Sequence, residues 1–230
     1  VLAFSCGLSE HSGRFPLEPT DQLNDDPDMS CLIQLVRHGQ VHSDWQGRIY
    51  GCLDVPLSEN GEAEARRAAG FLKSAPLCAV VSTGLRRSAY GAEQIAKLRE
   101  LEVRTESDLR EIERGEWAKL SFAELEERFP GELALWNEDP WERRPLGGES
   151  LGELSLRVVA VMDRLAAEFE GKEIAVVAHR HVLRCALAAA IGRKESLSQI
   201  IPTGMVLKLD WPAGKKPTML SAEAFESTDN

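Results

Sequence analysis

Three short apolar runs in this 230-residue chain each end in residues suited to holding an anion. Residues 31–36 (CLIQLV) run into Arg37-His38-Gly39, residues 173–178 (EIAVVA) into His179-Arg180-His181, and residues 77–81 (LCAVV) into Ser82-Thr83-Gly84-Leu85-Arg86-Arg87. Runs of this length and composition predict buried strands, and ligands of open α/β sheets bind beyond the carboxyl ends of strands. A lone histidine or arginine at a strand end is ordinary surface chemistry. Arginines at all three ends, with histidines at two, are not. Cations gathered without obvious acidic partners suit an anion, phosphate first, because guanidinium groups match its oxygens in charge and geometry. A metal centre on His38, His179 and a carboxylate fits less well. Arg37 and Arg180 flank the two imidazoles and would repel a divalent ion, and the histidines lack the tight spacing of zinc motifs. No metal and no other cofactor is expected.

The elements that must position these residues alternate along the chain. Residues 59–74 predict a helix with Ser58 as N-cap, and residues 85–97 a second one. Residues 121–129 open on the capping-box pattern Ser-Phe-Ala-Glu and stop at Pro130. Residues 151–170 predict a long amphipathic helix closed by Gly171, and residues 182–191 one stopped by Gly192. Residues 102–105 read as a weaker strand and residues 206–211 as a final one. The pattern predicts an α/β fold, a three-layer α/β/α sandwich around a mostly parallel central sheet. Residues 1–28, rich in Pro, Asp, Ser and Gly, are expected to form a disordered tail, residues 29–211 a single domain, and residues 212–230, from Pro-Ala-Gly-Lys-Lys-Pro onward, a flexible C-terminal tail.

Composition narrows the partners. The net charge of -10 argues against a general nucleic-acid surface, although arginines that converge locally still attract phosphate. No apolar run approaches the roughly 18 residues of a membrane span. The opening Val-Leu-Ala-Phe has no basic segment before it and makes a poor signal peptide. Five cysteines, odd in number and never spaced CxxC, argue against a disulfide framework or a zinc knuckle. Cys31, Cys78 and Cys185 sit in apolar runs as small hydrophobes. A soluble, cytoplasmic protein is expected, with a small phosphorylated molecule as its partner; a homodimer is compatible with the sequence.

Further segments add detail. Residues 47–61 (GRIYGCLDVPLSENG), residues 82–89 with Arg87, residues 109–117 (LREIERGEW), residues 145–150 (PLGGES) and residues 176–179 (VVAH) follow Arg37-His38-Gly39 in order. They are similar to the G-R-x-x-G-x-x-D-x-P-L-S-x-x-G, S-x-x-L-x-R, L-x-E-x-x-x-G-x-W, G-G-E-S and second-histidine elements of the histidine phosphatase superfamily, also called phosphoglycerate mutase-like. Between about residues 30 and 192 the chain resembles the phosphatase branch, with its broad-specificity and α-ribazole phosphatases. The resemblance implies a metal-independent phosphomonoesterase acting through a phosphohistidine on His38. Arg37, Arg87 and His179 would clamp the phosphoryl oxygens. Glu111 would protonate the leaving group and then activate water, with Glu113 as an alternative that the sequence does not separate from it. Gln40, Tyr50 and Gly51 are expected substrate contacts.

The departures from the pattern matter. Val41 and Asp44 stand where the family's R-H-G-[ET]-[TS]-x-x-N has a hydroxyl and an asparagine. Asp44 therefore points away, pairs with an arginine, or meets a cationic part of the substrate. Arg180-His181 replaces small residues after the second histidine: Arg180 would extend the clamp, and His181 is either a substrate contact or a packed neighbour. Trp136 and Trp141, with Arg143 and Arg144, fall on a loop-rich insert that either caps the site or packs as a corner. Two other readings stay open. A phosphoglycerate mutase shares the nucleophile but typically carries an E-R-x-Y-G element and a long insert, whereas here the stretch from Arg87 to Glu111 is short. A non-catalytic phosphate-binding module would account for Asp44 and Arg180-His181, but not for the retention of a nucleophile.

Overall fold

Alternate residues of the central strands serve two separate cores. The computed structural model describes residues 30–225, so the tail expected over residues 1–28 lies outside the described residues. Strand β1 (Cys31–Arg37) sends Ile33 and Leu35 to one face and Val36 to the other. Strand β4 (Glu173–Ala178) does the same with Ile174, Val176 and Ala178 against Ala175 and Val177. This period of two is why both strands read as continuous apolar runs: each is covered on both faces. Helices α1 (Glu59–Phe71) and α2 (Arg86–Arg99) lay Ala68, Ala69, Ala92 and Ile95 on the second face. Helices α5 (Leu151–Glu168) and α6 (Arg180–Ile191) lay Leu154, Val158, Leu165 and Leu183 on the first.

With β2 (Leu77–Ser82), β3 (Val103–Thr105), β5 (Val206–Trp211) and β6 (Thr218–Glu223), the strands form one sheet of order β3-β2-β4-β1-β5-β6. The β3-β2-β4-β1 portion is parallel, and β5 runs antiparallel to both of its neighbours. The three-layer, mostly parallel architecture expected from the alternation is present. Short helices α3 (Phe122–Arg128) and α4 (Glu132–Glu138) lie between β3 and α5, and α7 (Arg193–Ser198) follows α6.

Caps set the helix starts. Ser58 accepts from the Gly61 N–H, and Ser121 and Ser150 form reciprocal capping boxes with Glu124 and Glu153 at the heads of α3 and α5. Helix α6 begins two residues earlier than periodicity predicts, because β4 passes into it through His179 alone. That single-residue joint places His179 and His181 at the sheet edge together.

The expectation of a flexible tail from residue 212 is corrected over residues 218–223. The Pro-Ala-Gly-Lys-Lys-Pro run is a hairpin turn, with Gly214 at φ +69° and Lys215 N–H donating to Pro212 O at 3.1 Å, and β6 pairs with β5 beyond it. Strand β6 is an edge strand with mostly exposed side chains, so no face needed an apolar pattern to mark it. The last described residue, Phe225, packs edge-on against Phe71 at 5.4 Å.

Where β1 leaves the sheet, two backbones touch. A Cβ added to Gly39 would stand 1.9 Å from Gly61 O, and one added to Gly61 would stand 1.9 Å from Gln40 O. Only glycine at both positions lets the β1 exit lie directly on the first turn of α1.

Candidate active site

The carboxyl ends of β1, β2 and β4 deliver their side chains to one place. His38 N–H donates to Ala178 O at 3.0 Å, tying the β1 exit to the β4 exit, and the rings of His38 and His179 stand 5.1 Å apart. Both are almost fully buried, as is Arg87.

The tautomer of His38 follows from one hydrogen bond. Its Nδ1 lies 2.6 Å from Gly39 O, and a carbonyl only accepts, so Nδ1 carries the proton and Nε2 keeps its lone pair. Burial first, then Arg87 and Arg37, hold the imidazole well below its ordinary value. The result is a neutral ring with a free nitrogen.

His179 is set by a relay. Ser88 Oγ donates to Leu85 O at 2.9 Å, which leaves Thr83 Oγ1 to donate to Ser88 Oγ at 2.7 Å and to accept from His179 Nε2 at 2.8 Å. Burial, Arg87 and His38 hold this ring down as well, and its Nδ1 is buried without a partner.

The arginines are anchored from behind. Arg87 donates from Nη1 to Leu53 O at 2.6 Å and from Nη2 to Gly51 O at 2.7 Å, and its guanidinium lies 5.2 Å from the Tyr50 ring centre. Arg86 grips Asp54 of the same loop at 3.0 Å. Arg37 donates to Ile201 O. The Nε atoms of Arg37 and Arg87 are buried without partners. Buried donors are rarely left unsatisfied, and these two belong to cations.

The two candidate acids separate. Glu111 is buried and lines a cavity of about 700 Å³ together with Arg37, Gln40, Tyr50, Gly51 and Arg180. Glu113 faces away from that cavity: its carboxylate accepts from Cys52 Sγ at 2.6 Å and from the backbone N–H groups of Arg114 and Gly115. Burial works to raise the Glu111 carboxyl, but the His181 ring beside it and the Ile112 N–H outweigh it and hold the group well below the usual carboxylate range.

The other expected contacts divide. Gln40 is fixed by its N–H to Glu64 and by Ser58 Oγ donating to its Oε1 at 2.9 Å. Arg180 is exposed and reaches the cavity with no side-chain hydrogen bond or ion pair among the described residues. His181 lines the cavity but is mainly a packed neighbour of Glu111, its Nδ1 lying 3.2 Å from Oε2. Asp44 does not line the cavity: its side chain is 79% exposed and lies 3.3 Å from His42, so of its three readings the structure favours the one in which it points away rather than the substrate contact. Trp136 both packs and lines the cavity, whereas Trp141 is buried under Arg193 and Arg144 pairs with Glu153 outside it.

Residues that sequence reasoning passed over are Thr83 and Ser88, which set the His179 ring, and Arg114 and Arg184. Thr83 was legible as a hydroxyl one residue past a strand. Arg114 lies three residues beyond Glu111 and gave no signal of its own. Among the described residues, no group of three or more His, Cys, Asp or Glu side chains is arranged to hold a metal, and no helix is long and apolar enough to cross a membrane.

Comparison with known proteins agrees in register. The sequence profile of the histidine phosphatase superfamily (branch 1) matches residues 33–220. Phosphoserine phosphatase 1 of Hydrogenobacter thermophilus is 32% identical over 160 residues, which are 69% of this chain and 75% of that protein. A bifunctional protein of Mycobacterium tuberculosis is 36% identical over 165 residues, 70% of this chain but only 45% of its own length. Among solved structures, a mycobacterial glucosyl-3-phosphoglycerate phosphatase in complex with VO3 superposes with a TM-score of 0.74 at 25% identity, over 86% of this chain and 99% of that one.

Proposed function

This chain belongs to the histidine phosphatase superfamily (branch 1) and is a phosphatase, and from that premise we propose that it hydrolyses a small phosphorylated metabolite through a phosphohistidine on His38. The observation that carries the reading is the set of buried cationic donors without partners, Arg37 Nε and Arg87 Nε, gathered around a histidine whose Nε2 lone pair is free. Such a set matches a phosphoryl group and needs no metal to balance its charge. The names of the relatives above, a phosphoserine phosphatase and a glucosyl-3-phosphoglycerate phosphatase, support a metabolite-sized ester.

The steps balance on this chain's own groups. His38 Nε2 attacks phosphorus in line, the bond from phosphorus to the ester oxygen breaks, and Glu111 gives its proton to that oxygen as it leaves. The Nδ1–H bond to Gly39 O holds the ring in line and stabilises the imidazolium that the phosphorylated ring becomes. Arg37 and Arg87 bind the equatorial oxygens, where charge sits during transfer. His179 joins them when the charge of a bound dianion beside Nδ1 raises the affinity of that nitrogen enough for it to take up a proton from water. In the second half, Glu111 takes a proton from water, the oxygen attacks phosphorus, and the pair of the P–N bond returns to Nε2. Tyr50, Gly51, Gln40 and Arg180 contact the rest of the ester.

Rapid acid quenching during turnover of a phosphomonoester panel tests this. An acid-labile, base-stable phosphoenzyme, absent in His38→Asn, is expected, with inorganic phosphate as product. Label on serine would overturn the nucleophile. Isomerisation of 3-phosphoglycerate in place of phosphate release would make the protein a mutase, and failure to turn over any ester would leave it a phosphate-binding module.

A further inference from the structure

Glu111 has to be a carboxylic acid when the ester bond breaks, yet its nearest neighbours favour the carboxylate. Its Oε1 accepts from Ile112 N–H at 2.9 Å, and its Oε2 lies 3.4 Å from the backbone N of His181 and 3.2 Å from His181 Nδ1. An imidazole beside a carboxylate ordinarily takes the shared proton and makes an ion pair. That outcome would leave Glu111 with nothing to give.

The far side of the ring forbids it. His181 Nε2 lies 3.1 Å from Arg114 Nη2. A guanidinium only donates, so Nε2 must present its lone pair, and the proton of the neutral ring sits on Nδ1, which stands 3.2 Å from Glu111 Oε2 without hydrogen-bond geometry. An imidazolium would turn a second N–H against the Arg114 donor. Arg114 cannot easily step aside, since it is buried and its guanidinium stacks 4.5 Å from the centre of the Trp136 ring. The same indole meets the His181 ring edge-on at 6.0 Å. Two segments distant in the chain, the loop after Glu111 and α4, thus clamp an imidazole carried by the first turn of α6.

We propose that Arg114 locks His181 in its neutral, Nδ1-protonated form, so that the proton required by the leaving group resides on Glu111 and not on the imidazole. Arg114 and His181 are then positioning residues acting through Glu111, and the proposal rests on the reading of Glu111 as the acid.

The surroundings agree. Burial pushes the His181 ring down, Glu111 pulls it up, and Arg114 and then Arg180 push it down again, to about 4. Glu111 also faces Arg37 at the end of β1, Arg87 from α2 and Arg184 from α6 as cations, with the neutral rings of His38 and His179 beside them, while Glu149 ahead of α5 is the carboxylate that opposes them. A bound phosphate dianion cancels those cations and returns affinity for a proton to the pair. His181 is the imidazole in contact with Oε2, and therefore the group that would intercept it.

The test reads the ring and the rate separately, on the full chain. Nitrogen-15 NMR of the imidazoles should show His181 protonated on Nδ1 alone down to about pH 5.5. In Arg114→Met the same ring should titrate about 1–3 units higher. In single-turnover phosphorylation by an alkyl phosphate, the basic limb of the rate should move about 1–2 pH units lower in that variant. The effect should be smaller with p-nitrophenyl phosphate, whose leaving group needs no proton. Arg114→Lys, which still only donates, should keep the wild-type limb. His181→Asn keeps an N–H donor at the Nδ1 position but cannot become a cation, so adding Arg114→Met to it should leave the limb where it was. A shift that persists in the His181→Asn background, or a His181 that stays neutral without Arg114, overturns the lock. Glu111→Gln distinguishes the deeper failure: if it leaves phosphorylation by the alkyl ester intact, Glu111 is not the acid at all.

Discussion

Three imidazoles buried in the neutral state make the stability of this protein depend steeply on mildly acidic pH. His38 and His179 are held well below the ordinary histidine value, and His181 at about 4, burial being the leading cause for each. An unfolded histidine titrates near 6.5. Below that value the unfolded chain binds protons that the folded one refuses, so stability is complete above about pH 7 and drains away as pH falls toward the folded-state values. Between pH 7.5 and 5.5 a ring that stays neutral throughout costs about 1.4 kcal/mol, so the three together cost at most about 4 kcal/mol. That is a large share of the roughly 5–15 kcal/mol that holds a typical domain together. Glu111, whose pKa is depressed, adds a further loss only as pH falls below the usual carboxylate value of about 4.3. Guanidinium unfolding curves at pH 7.5, 6.5 and 5.5 measure the effect, and His38→Asn should cut the loss by about a third. Should the wild type lose less than about 1 kcal/mol across that interval, the rings protonate without unfolding. The neutral nucleophile derived above would then be wrong.

Other outcomes are equally specific. Arg87→Lys gives up the fork that holds Gly51 O and Leu53 O while presenting a charge to phosphate, so kcat/KM for any phosphomonoester should fall about 10²–10³-fold; a loss under threefold would mean that Arg87 is only a loop tie. Ending the chain after Trp211 removes β6 and the Phe71–Phe225 contact, and should cost about 2 kcal/mol or more in denaturant unfolding; no change would restore the tail reading. Activity should be unaffected by EDTA, because arginines supply the charge that a metal would, and a loss that added metal reverses would contradict that account.

Much of the site was legible because the strands that carry it are apolar on both faces and announce their ends. Arg37, His38 and His179 needed only the rule that ligands gather at carboxyl ends, whereas the choice of Arg87 over Arg86 came from the family resemblance. Asp44 could not be placed, since whether a loop carboxylate turns inward depends on contacts that leave no periodic trace. Glu111 and Glu113 sit two positions apart in an irregular segment, where no alternation tells which faces the cavity; the hydrogen bonds of Cys52, Arg114 and Gly115 to Glu113 decide it. The lock on His181 was hidden for a deeper reason. It is a fact about one proton, set by residues from three elements, and residue types alone do not report tautomers. Strand β6 escaped because an exposed edge needs no apolar signature.

The contact of Gly39 with Gly61 divides the pocket into a wall that cannot breathe and a wall that can be rebuilt. Behind His38, where β1 leaves the sheet next to the cavity-lining Gln40, main chain rests on main chain, so neither glycine has room for a side chain. Opposite it, Phe122 and Leu133 stand on short helices joined by brief loops, where exchange of a side chain leaves the phosphoryl cradle, and the Trp136 that holds Arg114, untouched. New leaving groups can be courted there, one residue at a time, while the chemistry stays put.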